Sequence, residues 1–214
     1  MNVPRSLLEE GAVALRLPAA TERSAPLGAM RILVAGASGV LGRSTLPHLD
    51  RHEVVGLTRR GEKLQLLREL GAEGVVCDVY DYPMLLRVTR RARPQIIVNF
   101  LTDLSEGLDE ANTRIRREGA ANLLAAATAA NAARLVVESV AFPLHGDAAR
   151  ALEELEHSTH LFPGEALILR FGRFWGPETL HESPREPPTV QIEKAGAEAS
   201  RLITHAPPGT YVVT

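Results

Sequence analysis

Residues 30–42 read Met-Arg-Ile-Leu-Val-Ala-Gly-Ala-Ser-Gly-Val-Leu-Gly, and this stretch decides the fold. The apolar run Ile32–Ala35 is typical of a buried parallel strand, and it leads directly into glycines 36, 39 and 42. The first glycine permits a tight turn, the second permits close approach of a pyrophosphate, and the third permits close packing of the next helix. The start of that helix offers N–H groups and a partial positive charge to phosphates. The segment therefore predicts a dinucleotide-binding turn, although its spacing is G-x-x-G-x-x-G rather than G-x-G-x-x-G.

Strand and helix patterns alternate along the chain after Met30, which predicts an α/β fold with a doubly wound parallel sheet. In such sheets ligands bind at the carboxyl ends of the strands, where the candidate residues below fall. The predicted strands are 31–35, 53–58, 74–77, 95–100, 134–139, 166–171 and 209–214. The predicted helices are 41–49, 62–70, 82–91, 106–131, 148–160 and 191–204.

Composition narrows the class of protein. The chain has 214 residues and a formal net charge of −2, which fits one domain and predicts binding neither to nucleic acid nor to a membrane surface. Cys77 is the sole cysteine, so an internal disulfide and a cysteine-based metal site are excluded, and no metal site is predicted. No run approaches the roughly 20 apolar residues of a membrane span, and the expected location is the cytoplasm.

Three regions are predicted. Residues 1–29 form an N-terminal extension or tail, for which a short helix over Ser6–Leu15 is the alternative. Residues 30–175 form the dinucleotide-binding domain. Residues 176–214 form a short C-terminal region that completes the fold and serves as a minimal substrate region, beginning with a proline-rich loop over 176–190.

Several segments resemble a known family. The motif Gly36-Ala-Ser-Gly-Val-Leu-Gly42 is similar to the glycine motif of the extended and atypical short-chain dehydrogenase/reductases, which include the NAD(P)-dependent epimerase/dehydratase family. Asn112–Leu124 resembles the long fourth helix of that family, and Arg134–Ser139 resembles the fifth strand, which ends in an active-site serine. Leu169–Pro177 resembles the sixth strand and its exit toward the substrate region. The resemblance covers about residues 30–214 and implies an NAD(P)-binding Rossmann fold.

The end of the second strand predicts which dinucleotide binds. NAD enzymes place an acid there to hold the ribose hydroxyls, whereas this chain has Thr58-Arg59-Arg60. Because a guanidinium pairs well with a 2′-phosphate, NADP is predicted in preference to NAD, with Arg59 as the main contact and Arg43 as an assistant. The alternative is a pair of solvated arginines in a turn.

The resemblance implies the other cofactor contacts. Asp78 would accept a hydrogen bond from the adenine amino group, while the neighbouring Asp81 is a candidate helix cap. Asn99 would lie beside the ribose and nicotinamide, or would satisfy backbone groups in a turn. The complete predicted cofactor-binding set is Gly36, Ser38, Gly39, Val40, Leu41, Gly42, Arg59, Arg60, Asp78, Val79, Asn99, Phe100, Leu101, Ser139, Phe171 and Gly172.

The acid–base pair on which the resembled enzymes depend is missing. They use a tyrosine followed four residues later by a lysine, which lowers the pKa of the phenol. Here the tyrosines are 80, 82 and 211 and the lysines are 63 and 194, so the pair is absent. Ser139 and His145 remain as candidate catalytic residues, because Ser139 matches the family serine and His145 titrates near neutrality just after the fifth strand. An exposed loop histidine is the alternative for His145.

Two functions from different classes fit this pattern. The first is an oxidoreductase or epimerase acting on a nucleotide sugar or a small carbonyl compound with atypical acid–base residues. The second is a catalytically inactive NADP-binding sensor or regulatory module. In many members of the resembled family the two long helices, here 106–131 and 148–160, form a dimer interface, so a homodimer through them is expected.

Overall fold

A computed structural model describes residues 28–102 and 109–214 of the chain, and it contains nine strands and seven α-helices in that part. The strands are β1 Arg31–Ala35, β2 Glu53–Thr58, β3 Glu73–Val76, β4 Ile96–Asn99, β5 Arg134–Val140, β6 Glu165–Phe171, β7 Arg173–Trp175, β8 Thr189–Gln191 and β9 Gly209–Val213. The helices are α1 Val40–Thr45, α2 Leu64–Glu69, α3 Tyr82–Ala92, α4 Asp109–Arg114, α5 Ala120–Ala129, α6 Gly146–His160 and α7 Ile192–His205.

Seven strands form one parallel sheet in the order β3-β2-β1-β4-β5-β6-β9, which confirms the predicted doubly wound α/β fold. The chain reverses its direction of winding between β1 and β4, where Ala35 pairs with Leu57 on one side and with Asn99 on the other. In sheets of this kind a crevice opens at the carboxyl ends of the two strands at that reversal. Gly36 and Phe100, the residues that follow these two strands, lie at this point.

Apolar side chains fill both faces of the sheet. In β1, Ile32 and Val34 face the layer that contains α1, α2 and α7, whereas Leu33 and Ala35 face the layer that contains α3, α5 and α6. This alternation explains why the strand reads as a continuous apolar run. Helix α7 packs tightly on α1, because a Cβ at Gly196 would collide with the backbone of Ser44.

Two predicted helices differ from the structure. The helix predicted over 41–49 is α1 followed by a 3₁₀ turn over Leu46–Leu49, where Pro47 lacks the N–H that an α-helix would use. The helix predicted over 106–131 is α4 and α5 joined by a π-helical turn over Ile115–Gly119, and its first three residues lie outside the described part.

The C-terminal region contains an element that the sequence did not indicate. Within the segment predicted as a loop, β8 pairs in parallel with β7 to form a separate two-stranded sheet. The predictions for α7 and for β9 agree with the structure to within one residue at each end. The predicted N-terminal extension, apart from Gly28 and Ala29, lies outside the described residues, as does the alternative helix over Ser6–Leu15.

Candidate functional site

The glycine turn after β1 shapes the crevice. Gly36 has a φ of +82°, and a Cβ there would collide with the carbonyl oxygen of Phe100, so no other residue fits without movement. A Cβ at Gly42 would meet the carbonyl oxygen of Ala37 at 2.6 Å, because α1 packs directly against the turn. Gly39 is exposed, and its amide donates to the Gly36 carbonyl oxygen at 3.0 Å. The first N–H groups of α1 therefore border an open space.

A cleft of about 240 Å³ opens beside this turn, and we call it the glycine-turn cleft. It brings together the turn itself, the ends of β2 and β4, residues that follow β3 and one residue of the π-helical turn. Its lining residues are Gly36, Ser38, Gly39, Leu57, Thr58, Arg59, Arg60, Lys63, Cys77, Val79, Phe100, Leu101, Thr102 and Ile115. Eight residues of the predicted cofactor-binding set are among them: Gly36, Ser38, Gly39, Arg59, Arg60, Val79, Phe100 and Leu101.

Three cationic side chains line one end of the cleft, and we call them the cation cluster. Arg59 and Arg60 follow β2 and are exposed, while the half-buried Lys63 ends a 3₁₀ turn that begins at Gly61. Sequence reasoning missed Lys63, although its spacing of three and four residues from the arginines would place it on their side of a helical turn. The carboxylate that an NAD-type site would offer at the end of β2 is replaced by these cations.

Polar contacts hold the end of β2 in place. The Ser38 and Thr58 hydroxyls lie 3.1 Å apart, and the Arg60 amide donates to Thr58 Oγ1 at 3.2 Å. Cys77, also in the wall of the cleft, stays a neutral thiol at physiological pH, because burial and then the charges of Asp81 and Asp78 raise its pKa to about 11. The carboxylates of Asp78 and Asp81 lie outside the cleft wall.

Those two carboxylates stabilise the backbone. Asp81 Oδ1 accepts from the Met84 amide at 3.0 Å and caps α3, as the sequence suggested. Asp78 Oδ1 accepts from the Tyr80 amide at 3.0 Å, and the Asp78 side chain is exposed. Its predicted contact with adenine stays a prediction.

Other predicted contact residues have local structural roles. The Asn99 side chain accepts from the Leu101 amide at 3.1 Å, which is the turn-forming alternative considered for it. Phe171 is 1% exposed and belongs to the core, so its side chain is not presented to a ligand. Gly172 packs against Pro188, where a Cβ would meet the backbone at 2.9 Å.

Arg43, the predicted second contact, does not line the glycine-turn cleft. Its guanidinium forms an ion pair with Glu178, in the segment that follows β7, and lies 3.4 Å from the Gly39 carbonyl oxygen. Arg43 therefore links α1 to the C-terminal region. Its predicted part in binding a 2′-phosphate stays a prediction.

Ser139 belongs to a second group of side chains, the Glu156 cluster. Ser139 Oγ donates to Glu156 Oε1 at 2.5 Å, and Arg170 donates to both carboxylate oxygens of Glu156, at 2.9 and 2.5 Å. Burial raises the pKa of Glu156, but the hydrogen bonds from Arg170 and Ser139 outweigh it, and the net pKa is lowered. The cluster ties β5, β6 and α6 together. It borders a separate cavity of about 330 Å³, which Val140, Phe142, Leu152 and Val212 also line.

The two candidate catalytic residues do not come together in the glycine-turn cleft. Ser139 is 1% exposed with its hydroxyl proton directed at Glu156, and His145 is exposed at the N-cap of α6 without a capping hydrogen bond from its side chain. Neither lines the cleft. The glycine turn and the cation cluster therefore line the glycine-turn cleft, whereas Ser139 belongs to the Glu156 cluster.

Two further findings concern the described residues alone. Across 28–102 and 109–214, no group of three or more His, Cys, Asp or Glu side chains is placed to hold a metal ion. In the same part of the chain, no helix is both long enough and apolar enough to cross a bilayer.

The parallel sheet, its winding reversal and the glycine-turn cleft define the class of dinucleotide-binding α/β proteins. The model of the NAD dependent epimerase/dehydratase family matches residues 32–161, and the chain belongs to that family. Among solved structures it is similar to the Bordetella bronchiseptica enzyme WbmG in complex with NAD, with a TM-score of 0.71 and 18% identity over 87% of this chain and 73% of that one. It is also similar to the UDP-glucose 4-epimerase of Thermus thermophilus in complex with NAD, with a TM-score of 0.69 and 19% identity over 86% and 77% of the two chains.

A curated relative is similar in sequence. The chain is 34% identical over 180 residues to a 3-diazoavenalumate denitrifying reductase from a Streptomyces species. The alignment covers 70% of this chain and 58% of that relative, so this chain spans well under two thirds of the relative's length.

Proposed function

We propose that this protein is an NADP-dependent reductase that acts on a small electrophilic substrate. The observation that carries the proposal is the cation cluster, in which Arg59, Arg60 and Lys63 line the glycine-turn cleft at the end of β2. Three cations in that place favour a 2′-phosphate over a free ribose, because guanidinium and ammonium groups donate charge-assisted hydrogen bonds to phosphate oxygens.

The glycine turn fits the pyrophosphate of such a cofactor. A Cβ at Gly39 would meet only the Gly36 carbonyl oxygen, at 3.2 Å, so the other side of Gly39 is open. The N–H groups at the start of α1 would orient the pyrophosphate, while Ile115 and Leu101 would exclude water from the opposite wall. When bound, the reduced nicotinamide supplies a hydride.

The reductase assignment is preferred to the epimerase assignment for two reasons. The curated relative at 34% identity is named a reductase, whereas the UDP-glucose 4-epimerase of Thermus thermophilus is 19% identical to this chain. The chain also lacks the Tyr-x-x-x-Lys pair, which an epimerase of this family would use to remove and return protons, whereas the displacement of dinitrogen by a hydride needs no proton donor.

A carbonyl compound is the first candidate substrate, and a diazo compound is the second. The named substrate of the curated relative is a diazo compound. A hydride that replaces a diazonium group, with dinitrogen as the leaving group, requires no proton donor. The missing pair is therefore compatible with that reaction.

Calorimetric titration with NADPH and, separately, with NADH tests the cofactor assignment. We expect NADPH to bind more tightly by on the order of 10- to 100-fold, since a charge-assisted hydrogen bond contributes about 1.5–3 kcal/mol. Arg59→Ala and Lys63→Ala should each remove part of that preference without changing the affinity for NADH. Arg68→Ala is the matched control, because Arg68 is an exposed cation on α2 that contacts Gln65 and not the cleft. Equal affinities for the two nucleotides would refute the NADP assignment.

NADPH consumption separates a reductase from a sensor. The probes are 4-nitrobenzaldehyde for a carbonyl substrate and benzenediazonium for a diazo substrate. Consumption with either probe supports the reductase and indicates its substrate class. Tight NADPH binding with no consumption by either probe would favour the regulatory module instead.

A further inference from the structure

A cavity of about 330 Å³ lies beside the Glu156 cluster, and the proposed function assigns it no role. Its wall is formed by residues 140–143 at the end of β5, by one face of α6, and by the edge of the sheet at β6 and β9. The cavity shares no lining residue with the glycine-turn cleft, so a ligand there would contact different side chains. Its volume falls within the range of small-molecule sites, roughly 300–1,000 Å³.

Apolar side chains form most of the cavity wall. Phe142 and Leu152 are partly exposed, and Val212 of β9 is 64% exposed. Val140 and Ala141 extend the same apolar surface at the end of β5. A ligand with an apolar body is favoured here, because its binding removes apolar area on both partners from water.

Arg170 gives the cavity a polar end with hydrogen-bond donors to spare. Its Nε and Nη2 donate to the Glu156 carboxylate, at 2.9 and 2.5 Å. Its Nη1 has no acceptor among the described residues and is accessible to solvent. The Arg170 side chain is 43% exposed, compared with 15% for Glu156. The two N–H groups of Nη1 are therefore open to a ligand.

Arg117 shows what such a guanidinium binds elsewhere in this protein. Its Nε and Nη2 donate to Glu154, just as those of Arg170 donate to Glu156. Its Nη1 and Nη2 donate to a second carboxylate, that of Asp147, at 2.8 and 2.9 Å. Among the described residues no side chain takes the place of Asp147 at Arg170. A carboxylate fits there, because it accepts two parallel hydrogen bonds from the guanidinium fork.

The neighbouring charges nearly cancel, so they permit an anionic ligand. Glu156 offsets the charge of Arg170, and Glu153 adds a negative charge at the exposed rim. Arg173 adds a positive charge next to the wall, since its Cζ lies 4.2 Å from the centre of the Phe142 ring. Water screens the exposed Glu153. The apolar wall would therefore supply most of the affinity, and the Arg170 guanidinium would select a carboxylate.

We propose that this cavity binds a small organic carboxylate, with its apolar body against Phe142, Leu152 and Val212 and its carboxylate on Nη1 and Nη2 of Arg170. The site lies outside the glycine-turn cleft and needs no nucleotide, so it adds a second ligand to the proposed function. We call it the carboxylate cavity.

The probe for the carboxylate cavity is 2-naphthoate, and 2-naphthamide is its uncharged counterpart of equal size. NMR titration of the wild-type protein without nucleotide should give a Kd on the order of 0.1–1 mM for 2-naphthoate, as expected for about 13 non-hydrogen atoms. The amide should bind about fivefold more weakly or worse, because it has one acceptor and no charge. Methyl signals of Leu152 and Val212 should shift. Equal affinities for the two probes, or no binding of 2-naphthoate below about 5 mM, would overturn the proposal.

Four variants locate the bound carboxylate. Val212→Trp fills the cavity from its exposed side and should weaken 2-naphthoate binding about tenfold. Arg170→Lys removes the forked donors and should lower the affinity for 2-naphthoate to that for the amide. Glu153→Gln removes the rim charge and should strengthen binding of 2-naphthoate alone, by about two- to threefold. Arg201→Lys is the matched control, because Arg201 pairs with Glu198 on α7 in the other layer, and it should bind as wild type does.

Thermal unfolding keeps the proposal testable if Arg170→Lys folds poorly. At about ten times its Kd, 2-naphthoate should raise the Tm of the wild-type protein by about 3–6 °C, since it binds the folded state alone. The same concentration should raise the Tm of Val212→Trp by no more than about 2 °C. Equal rises in both proteins, or wild-type affinity in Val212→Trp or in a folded Arg170→Lys, would place the ligand elsewhere and refute the proposal.

Discussion

At the scale of single residues, the three glycines of the turn have different physical requirements. Gly36 is required by its backbone conformation, with φ of +82°, and by contact with Phe100. Gly42 is required by packing, because a methyl group there would press on the Gly36 and Ala37 carbonyl oxygens. A Cβ at Gly39 would lie 3.2 Å from the Gly36 carbonyl oxygen, a tight contact that a shift of a few tenths of an ångström relieves, so the stronger requirement for glycine there would come from the ligand.

These differences predict that alanine at position 42 lowers the stability of the protein, whereas alanine at position 39 weakens NADPH binding. Gly42→Ala should lower the free energy of unfolding by about 1–3 kcal/mol, since the clash with backbone outweighs the gain in helix propensity. Gly39→Ala should change stability by less than about 1 kcal/mol but weaken NADPH binding by about tenfold or more. Urea unfolding and calorimetry measure the two quantities. Gly61→Ala is the control, because a Cβ there has no neighbour closer than 3.9 Å; a Gly42→Ala variant as stable as the control would contradict the packing argument.

At the scale of elements, β5, β6 and α6 depend on the Glu156 cluster. Glu156 is held in its charged form, because hydrogen bonds from Arg170 and Ser139 outweigh the cost of burial and lower its pKa. A lowered carboxyl pKa in the folded state stabilises the protein above the unfolded-state pKa of about 4.3, and that stabilisation is lost as the pH falls through the folded-state value.

Glu156→Gln should therefore destabilise the protein by about 1–2 kcal/mol at neutral pH, and the deficit should shrink as the pH falls below about 4. A destabilisation at the upper end of the range for hydrogen bonds to charged groups, about 3 kcal/mol, is not expected, because the Arg170 side chain is 43% exposed and water can solvate it. Urea unfolding at neutral and acid pH measures the difference. Glu153→Gln, an exposed change on the same helix, should have no such pH-dependent effect. Equal deficits at both pH values would show that the charge of Glu156 is irrelevant.

The elements also show what the sequence could predict. The boundaries of β1 and β2 were predictable, because buried parallel strands are short apolar runs that end at turn residues. The β7–β8 sheet was not, because three-residue strands within a proline-rich segment carry no periodicity. Lys63 was missed although its spacing from Arg59 and Arg60 was a usable signal, and it lies in the cleft wall as the last residue of a 3₁₀ turn. Ser139 was placed correctly on its strand, but its partner Glu156 is 17 residues away and only the folded structure brings them together.

At the scale of the whole molecule, helices pack on both faces of the seven-stranded sheet. The outer surface of the layer formed by α3, α4, α5 and α6 includes the helices through which a homodimer is expected. Arg117 of the π-helical turn binds Asp147 and Glu154 of α6, so this layer is held together by ion pairs as well as by its core. On α5, the small residues Ala121, Ala125 and Thr128 are exposed along one side. The homodimer expected through these helices stays a prediction.

Ala125→Arg tests that assembly. Sedimentation at micromolar concentration should give a dimer for the wild-type chain and a monomer for the variant, because a buried guanidinium without a partner opposes close helix packing. The free energy of unfolding of the monomeric subunit should change little, since Ala125 is exposed within it. Gln65→Arg on the opposite layer is the control for added charge. A monomeric wild-type chain would exclude the proposed interface.

The π-helical turn has a consequence for how this fold can diversify. It accommodates one residue more than an α-helical turn, and each residue rotates an α-helix by about 100°. Deleting a single residue there would straighten the helix and swing Ile115 and Arg116 around its axis relative to α5, although every remaining amino acid would be unchanged. Descendants of this chain could therefore exchange the side chain that this turn presents to the cleft through one codon gained or lost, a route to new substrates that a comparison of aligned residue types would overlook.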